Sequence, residues 1–326
     1  MSESPLVSAI ITTHNRLDLL KLAVESVYEQ TYENIELIVV DDASTDGTKE
    51  YCEAQSFRYI YIPPEESRGG NHARNIGVMV AKGKYVAFLD DDDRWLPEKI
   101  EKQISLFTED TGLVYCGRYM DYINADGSIR RLLNMPDKEY RGDLSVKCLK
   151  KIFCTTSVMM VKKDLLEQIG GFDETLKFWQ ETELCIRLCQ ITKVDFVGEP
   201  LLFYRIDPAD PQRLTNKYDG WLKAIDQIND KHKDLIAALS KEDRDARNLM
   251  IARDKLMRCD SCGNKEERKR ALYEIWQITG APKDYVKYLL NRSHIKPSCL
   301  RGGSAQNEII AFSGYAVSFL EGRACA

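Results

Sequence analysis

Short apolar runs alternate with amphipathic stretches over the first hundred positions of the chain. LVSAIITT (6–13) is apolar and rich in β-branched residues, which predicts a buried strand. After HNR, the positions Leu17, Leu20, Val24 and Val27 recur at helical spacing. IELIVVDD (35–42) repeats the strand pattern, and Ser44, Thr45 or Asp46 suits the cap of the helix that follows. FRYIYI (57–62) predicts a third strand, NHARNIGVMVAK (71–82) a helix, and KYVAFLD (84–90) a fourth strand. Pro97 fits the first turn of a helix running to about Phe107. Strands alternating with helices in this way predict an α/β fold with a mainly parallel sheet flanked by helices on both faces.

Beyond residue 110 the pattern becomes mixed. GLVYCGRYMDYI (112–123) reads as a strand leading into a hairpin turn at NADGS, TTSVMMVKK (155–163) as a strand, and DLLEQIG as a short helix closed by Gly170 or Gly171. ETELCIRLCQI (181–191) predicts a helix, followed by two short strands, VDFVG and LLFYRI. Past Thr215 the sequence is charged and helical, so a first domain is expected over 1–214, in halves of about 1–110 and 111–214, with a helical C-terminal region over 215–326. The tail from Ser298 is expected to lack order up to its apolar segment at 309–320.

Composition narrows the function classes. The net charge of -5 argues against a general nucleic-acid binder, because phosphate neutralisation needs a basic face. The N-terminus shows no basic segment followed by a long apolar stretch, and no window reads as a membrane span, so a cytoplasmic location is expected, with any membrane contact peripheral. The ten cysteines are then expected to stay reduced. Only Cys259 and Cys262 have metal-like spacing; a zinc site with Cys299 or Cys325 competes with a structural reading on a helix, which is the preferred one.

Polar clusters follow three predicted strands: Thr12 to Arg16, Asp41 with Asp42, and Asp90 to Asp93. Ligands of open α/β sheets bind beyond the carboxyl ends of the strands, so these clusters are expected to line one crevice. So many carboxylates would repel an anion unless a divalent cation sat among them, and hard oxygen ligands favour Mg²⁺ or Mn²⁺ shared with a substrate phosphate. On an extended segment Asp90 and Asp92 would face the crevice together while Asp91 alternates, and Asp93 with Pro97 would begin the next helix.

VSAIITTHNR, IELIVVDDASTDGT, GGNHARNIG, AKGKYVAFLDDDD followed by WLP, and IGGFDE occur in the order seen in family 2 glycosyltransferases, and the resemblance covers residues 5–206. It implies a GT-A fold and an inverting transfer from a nucleotide sugar to an acceptor hydroxyl, as in bacterial polysaccharide or glycolipid assembly. By the same resemblance Thr12, His14, Asn15 and Arg16 match the loop that contacts the nucleotide, and Asp42 the carboxylate that holds a uracil-type base. Asp92 and Asp90 match the metal-binding ends of the D-x-D motif, Asp91 lies near the donor, and Arg74 and Asn75 match the ARN that approaches it. Structural roles compete at several of these positions: a turn for Asp41, an ion pair with a strand-end aspartate for Arg74, loop packing for His14.

Inversion needs a base for the acceptor hydroxyl. In FWQETELCIRL, Gln180 and Glu181 stand where the family more often has Glu and Asp, so Glu181 takes the base position; the competing reading makes Glu181 and Glu183 ordinary first-turn acids favoured by the helix dipole. Trp179 suits a sugar face or a domain seam, and Arg205 and Arg213 suit a diphosphate or pairing with Asp207 or Asp210. The implied partners are a nucleotide-sugar donor and a saccharide or lipid-linked saccharide acceptor, with no nucleic acid, and self-association is a further option; the C-terminal helices could hold the acceptor, a partner subunit or an anionic membrane face, and KDYVKYLLNRSHIK (283–296), which interleaves basic and apolar residues, reads first as a solvated amphipathic helix packed on the first domain. A catalytically silent nucleotide-sugar-binding subunit and a sugar-phosphate nucleotidylyltransferase are the alternatives. The second would carry a glycine-rich loop after the first strand, where this chain has TTHNR.

Overall fold

The computed structural model describes residues 4–210, 218–292 and 317–319. Strand β1 (Val7–Thr13) is buried along its whole length and lies between two parallel neighbours, β2 (Ile35–Asp42) and β4 (Tyr85–Asp90), with β3 (Arg58–Ile62) beyond β2. Burial on both faces is why these strands read as continuous apolar runs rather than as alternating ones. Helix α1 (Leu17–Tyr28) turns Leu20, Ala23, Val24 and Val27 to the sheet, the stripe its spacing predicted. Helix α2 (Thr48–Glu53) is preceded by Asp46, whose Oδ1 accepts from the Thr48 N–H and hydroxyl. Helix α3 (Gly70–Val80) packs on β1 through Gly77, where a Cβ would meet Ile10 Cγ2 at 2.6 Å.

After β4 the structure departs from the pattern in three places. The chain turns at once, with the Asp93 N–H bonded to the Asp90 carbonyl, and then forms a two-residue strand, β5 (Arg94–Trp95), so that helix α4 (Lys99–Ile104) begins two residues past Pro97. Asp93 is therefore no helix cap: its Oδ1 accepts from the Arg205 N–H, and it is buried. Strand β6 (Thr111–Ile123) turns into β7 (Ile129–Asn134) as expected, but 155–163 divides into a 3₁₀ turn over Thr156–Val158 and a short strand, β8 (Met160–Lys162). The two short strands expected near 194 and 201 are one, β9 (Lys193–Ile206), bent by register shifts where it pairs with β6 around Gly117. Across this half the sheet is mixed, with β8 antiparallel to both β4 and β6; β10 (Val317–Phe319) adds an antiparallel edge to β7.

Helix α5 (Lys163–Gln168) ends in the positive-φ pair Gly170 and Gly171, and helix α6 (Gln180–Cys189) follows a loop. The C-terminal helices are α7 (Tyr218–Lys231), α8 (Lys233–Ala237), α9 (Lys241–Cys262), α10 (Lys265–Thr279) and α11 (Pro282–Arg292). Trp221, Ile225, Ile228 and Met250 belong to the same buried cluster as the sheet. Arg247, 2% exposed, donates to the Leu149 carbonyl and to Asn229 Oδ1, tying α9 to α7 and to the segment between β7 and β8. Cys259 is buried and Cys262 exposed, and among the described residues no three His, Cys, Asp or Glu side chains converge as a metal cage. The expected boundary near 215, Arg213, Cys299, Cys325 and most of the tail lie outside the described residues. Among those described, no helix is long and apolar enough to cross a membrane.

Candidate active site

The carboxyl ends of β1, β2 and β4 open into one crevice of about 660 Å³, closed on its far side by the start of α6 and by α9. The strand order places β1 between β2 and β4, and this reversal of winding is what leaves a gap at the strand ends. Thr12, His14 and Arg16 line it from the first loop, Asp42 from the second, and Asp90, Asp91 and Asp92 from the turn after β4.

That turn ends the extended alternation, so all three aspartates reach the crevice. Arg16 holds two of them: its Nη1 donates to Asp91 Oδ1 and Asp92 Oδ2, both at 3.1 Å, while Nη2 donates to Asp210 Oδ2 at 2.6 Å. Burial alone would lower the Arg16 pKa, but the Asp91, Asp92 and Asp210 carboxylates outweigh it and the value is raised. Asp91 is fixed from behind by the Thr13 hydroxyl at 2.8 Å. Asp92 is pushed up to about 7, first by burial and then by the charges of Asp91 and Asp90. Burial and the charges of Asp92 and Asp90 push Asp93 well up, and its Oδ2 has no hydrogen-bond partner among the described residues. Asp91, Asp92 and Asp93 thus sit in an environment that resists their full ionisation without a further cation.

Arg74 pairs with Asp90 at 2.6 Å and touches Asn71 Oδ1, so it takes the ion-pair role while still lining the crevice. Asp41 is a turn residue: fully buried, it accepts from the Ser44 N–H and the Tyr59 hydroxyl. Asp42 differs. One oxygen accepts from the Gly69 N–H at 2.8 Å, and the other, Oδ1, is buried without a partner among the described residues. His14 donates from Nδ1 to the Asp42 carbonyl, which leaves Nε2 as an acceptor for the Asn15 amide. Two expected site residues stand outside the crevice wall. Asn15, at φ 52°, joins Ser44 and Thr45 in a hydrogen-bonded knot between two loops. Asn75 receives the Phe172 N–H and donates to the Phe172 carbonyl and Glu174, holding the loop after Gly171.

On the opposite wall, Glu181 lies in the first turn of α6 and lines the crevice. Burial raises its pKa, while Arg74 and Arg258 oppose the rise and Asp90 adds to it. Its carboxylate has no side-chain hydrogen-bond partner among the described residues. Glu183, two residues on, is its opposite: fully buried, it binds Arg187 at 2.7 Å, Lys231 at 2.9 Å and His232 at 3.1 Å. Burial would raise Glu183, yet these partners bring it down to about 2. Trp179, at φ 54°, is held in the left-handed region by an indole N–H bond to Asp254 Oδ2 and by edge contact with Trp221. It is a seam residue that also shows an edge to the crevice. Arg205 lines the crevice and pairs with Asp207 at 2.6 Å.

Sequence patterns give no sign of Lys177, Tyr204 or Arg258, which also line the crevice. Arg258 arrives from α9, which begins 52 residues after α6 ends, and only the tertiary fold reveals it.

The glycosyl transferase family 2 model matches residues 8–170 of the chain. The protein belongs to glycosyltransferase family 2. An uncharacterized glycosyltransferase of Rickettsia prowazekii is 31% identical over 247 residues, 74% of each chain. The UDP-Glc:alpha-D-GlcNAc-diphosphoundecaprenol beta-1,3-glucosyltransferase WfaP of Escherichia coli is 37% identical over 155 residues, 47% of this chain and 60% of that one. Among solved structures, the mannosyltransferase PcManGT of Pyrobaculum calidifontis in complex with GDP-Man and Mn2+ superposes with a TM-score of 0.57 at 20% identity, over 90% of this chain and 81% of that one. TarS of S. aureus, residues 1–349, superposes at 0.53 with 16% identity over 98% of each chain. These neighbours share the fold, and this family 2 glycosyltransferase has the GT-A architecture that its motifs implied.

Proposed function

We propose that the crevice binds a nucleotide-diphosphate sugar, with UDP as the nucleotide, and transfers the sugar with inversion to a hydroxyl of a saccharide or lipid-linked saccharide. One observation carries this reading. A half-buried carboxylate with a raised pKa and no side-chain partner among the described residues, Glu181, faces the same crevice as the acidic turn at the end of β4. A base must be near the acceptor, unencumbered by an ion pair, and matched in acidity to neutral solution.

The unpartnered Oδ1 of Asp42 suits the imide N–H of a uracil-type base, which would satisfy a buried acceptor. PcManGT holds GDP-Man and Mn2+, and WfaP by name uses UDP-Glc, so a nucleotide-sugar donor is consistent with both. Three converging protein ligands are not required for a hard cation in such a site, because one or two carboxylates suffice when diphosphate oxygens fill the remaining positions. Asp92 and Asp90, partly exposed to the crevice, fit that pattern, and Mn²⁺ or Mg²⁺ there would draw negative charge from the departing diphosphate. Arg16 keeps Asp91 and Asp92 in place and Arg205 stands beside the same turn.

In the transfer, the Glu181 carboxylate takes the proton of the acceptor hydroxyl as its oxygen bonds the anomeric carbon. The bond from that carbon to the diphosphate oxygen breaks with its electron pair, and the nucleoside diphosphate leaves. A thermal-shift panel of UDP-, GDP- and dTDP-sugars, with and without Mn²⁺, tests the reading. It predicts stabilisation by UDP-sugars that depends on the metal; no shift with any donor would overturn it.

A further inference from the structure

Arg258 is a charged residue on α9 that the transfer described above does not use. Its side chain is 10% exposed, and its guanidinium packs over Phe178 at 5.6 Å and Trp221 at 5.5 Å. Its one ion pair among the described residues runs from Nε to Asp254 Oδ2 at 2.9 Å, and that oxygen also accepts the Trp179 indole N–H. Nη1 and Nη2 have no hydrogen-bond partner among the described residues. They are aimed into the crevice, which Arg258 lines together with Glu181. The two side chains feel each other's charge without forming an ion pair, so a space separates them.

These terminal nitrogens are not sealed from solvent, so an anion entering the crevice would replace water on them. The planar fork of its terminal nitrogens matches two oxygens of a phosphate or carboxylate. The donor end of the crevice has its own cations, Arg16 and Arg205, beside the aspartate turn, whereas Arg258 lies with Phe178 and Trp179 at the start of α6. We propose that Arg258 anchors an anionic group, a phosphate or carboxylate, on the acceptor, so that the C-terminal helices form the acceptor side of the active site. This rests on reading the crevice as a glycosyltransferase site. The substrate class is an acceptor whose attacking hydroxyl reaches Glu181 while an acidic group on the same or the adjoining unit meets Arg258. Asp254 is then a positioning residue, since one oxygen orients both Arg258 and Trp179.

The test is titration of the full chain, saturated with UDP and Mg²⁺, with glucose 1-phosphate and with glucose as the neutral control, read by calorimetry. Trp179 and Trp221 adjoin Arg258 and supply a fluorescence check. The unaltered protein should prefer the phosphate by about tenfold or more, the factor expected of a charge-assisted pair. Arg258→Gln should abolish that preference with UDP affinity retained, and Arg258→Lys, which keeps the charge and the Asp254 pair without the fork, should weaken it several-fold. The lysine variant carries the test if the glutamine variant does not fold. No preference in the unaltered protein, an undiminished preference in the variants, or a parallel loss of UDP affinity would each overturn the inference. If the unaltered protein fails to bind UDP, the proposed function falls and the inference with it; if UDP binds and the preference survives in Arg258→Gln, only the inference falls.

Discussion

Asp92 and Asp93 are adjacent in sequence, and the fold gives them unlike tasks. Asp92 faces the crevice with a quarter of its side chain exposed, and its only ion-pair partner among the described residues is Arg16. Asp92→Ala should remove the Mn²⁺-dependent part of UDP affinity, by about tenfold or more, while leaving metal-independent binding in place; calorimetry with and without Mn²⁺ would show it, and an unchanged metal effect would contradict it. Asp93 is buried, its acidity is suppressed, and one oxygen serves the Arg205 N–H. An amide keeps that acceptor and takes a like charge away from Asp92. Asp93→Asn should therefore change stability by less than about 1 kcal/mol, whereas Asp93→Leu, which strands the Arg205 N–H, should cost on the order of 1–3 kcal/mol. Equal losses in a thermal melt would show that Asp93 works as an ionised group. The run of four aspartates is visible in sequence, but its division is not, because the turn after Asp90 arises from tertiary pairing of β5 with β9.

At the scale of elements, helix α6 shows how one turn serves two ends. Glu181 is left without a side-chain partner among the described residues, and Glu183 is clamped to Arg187, Lys231 and His232, which joins α6 to α7 and α8. Glu183→Gln takes a fully buried carboxylate charge from the partly exposed Arg187 and Lys231 and should destabilise the fold by about 3 kcal/mol at neutral pH. Glu183 has a folded pKa of about 2 against an ordinary 4.5, so its contribution is complete above pH 4.5 and is lost as pH falls through 2. The gap in melting temperature between the unaltered protein and Glu183→Gln should accordingly narrow as pH drops across that window; a constant gap would mean the clamp is not ionic. First-turn acids at both positions were legible in sequence, yet apart from Arg187 four residues beyond Glu183 little there separates them, because Lys231 and His232 join the clamp from nearly fifty positions away. The alternation of strand and helix over the first hundred residues was legible for a physical reason: strands buried on both faces and a helix with one buried stripe have distinct periods. The bent β9 was not, since its register shifts follow from β6, eighty residues earlier.

For the whole molecule, the C-terminal helices share the core of the sheet and send Arg258 and Asp254 to the start of α6. The motifs before residue 206 account for the strand-end wall of the crevice and for Glu181; Lys177, Tyr204 and Arg258 belong to no such pattern, so only contact in three dimensions marks them. Because burial raises the pKa of Glu181, the acid limb of the kcat/KM profile should lie above that of an ordinary glutamate, with activity lost as pH falls. The most direct measurement is Glu181→Gln assayed beside the unaltered protein for UDP affinity and for turnover of a UDP-sugar. The account predicts UDP affinity within about twofold and turnover reduced by about 10²–10⁴-fold, the share of a general base. Turnover that survived the substitution would contradict it.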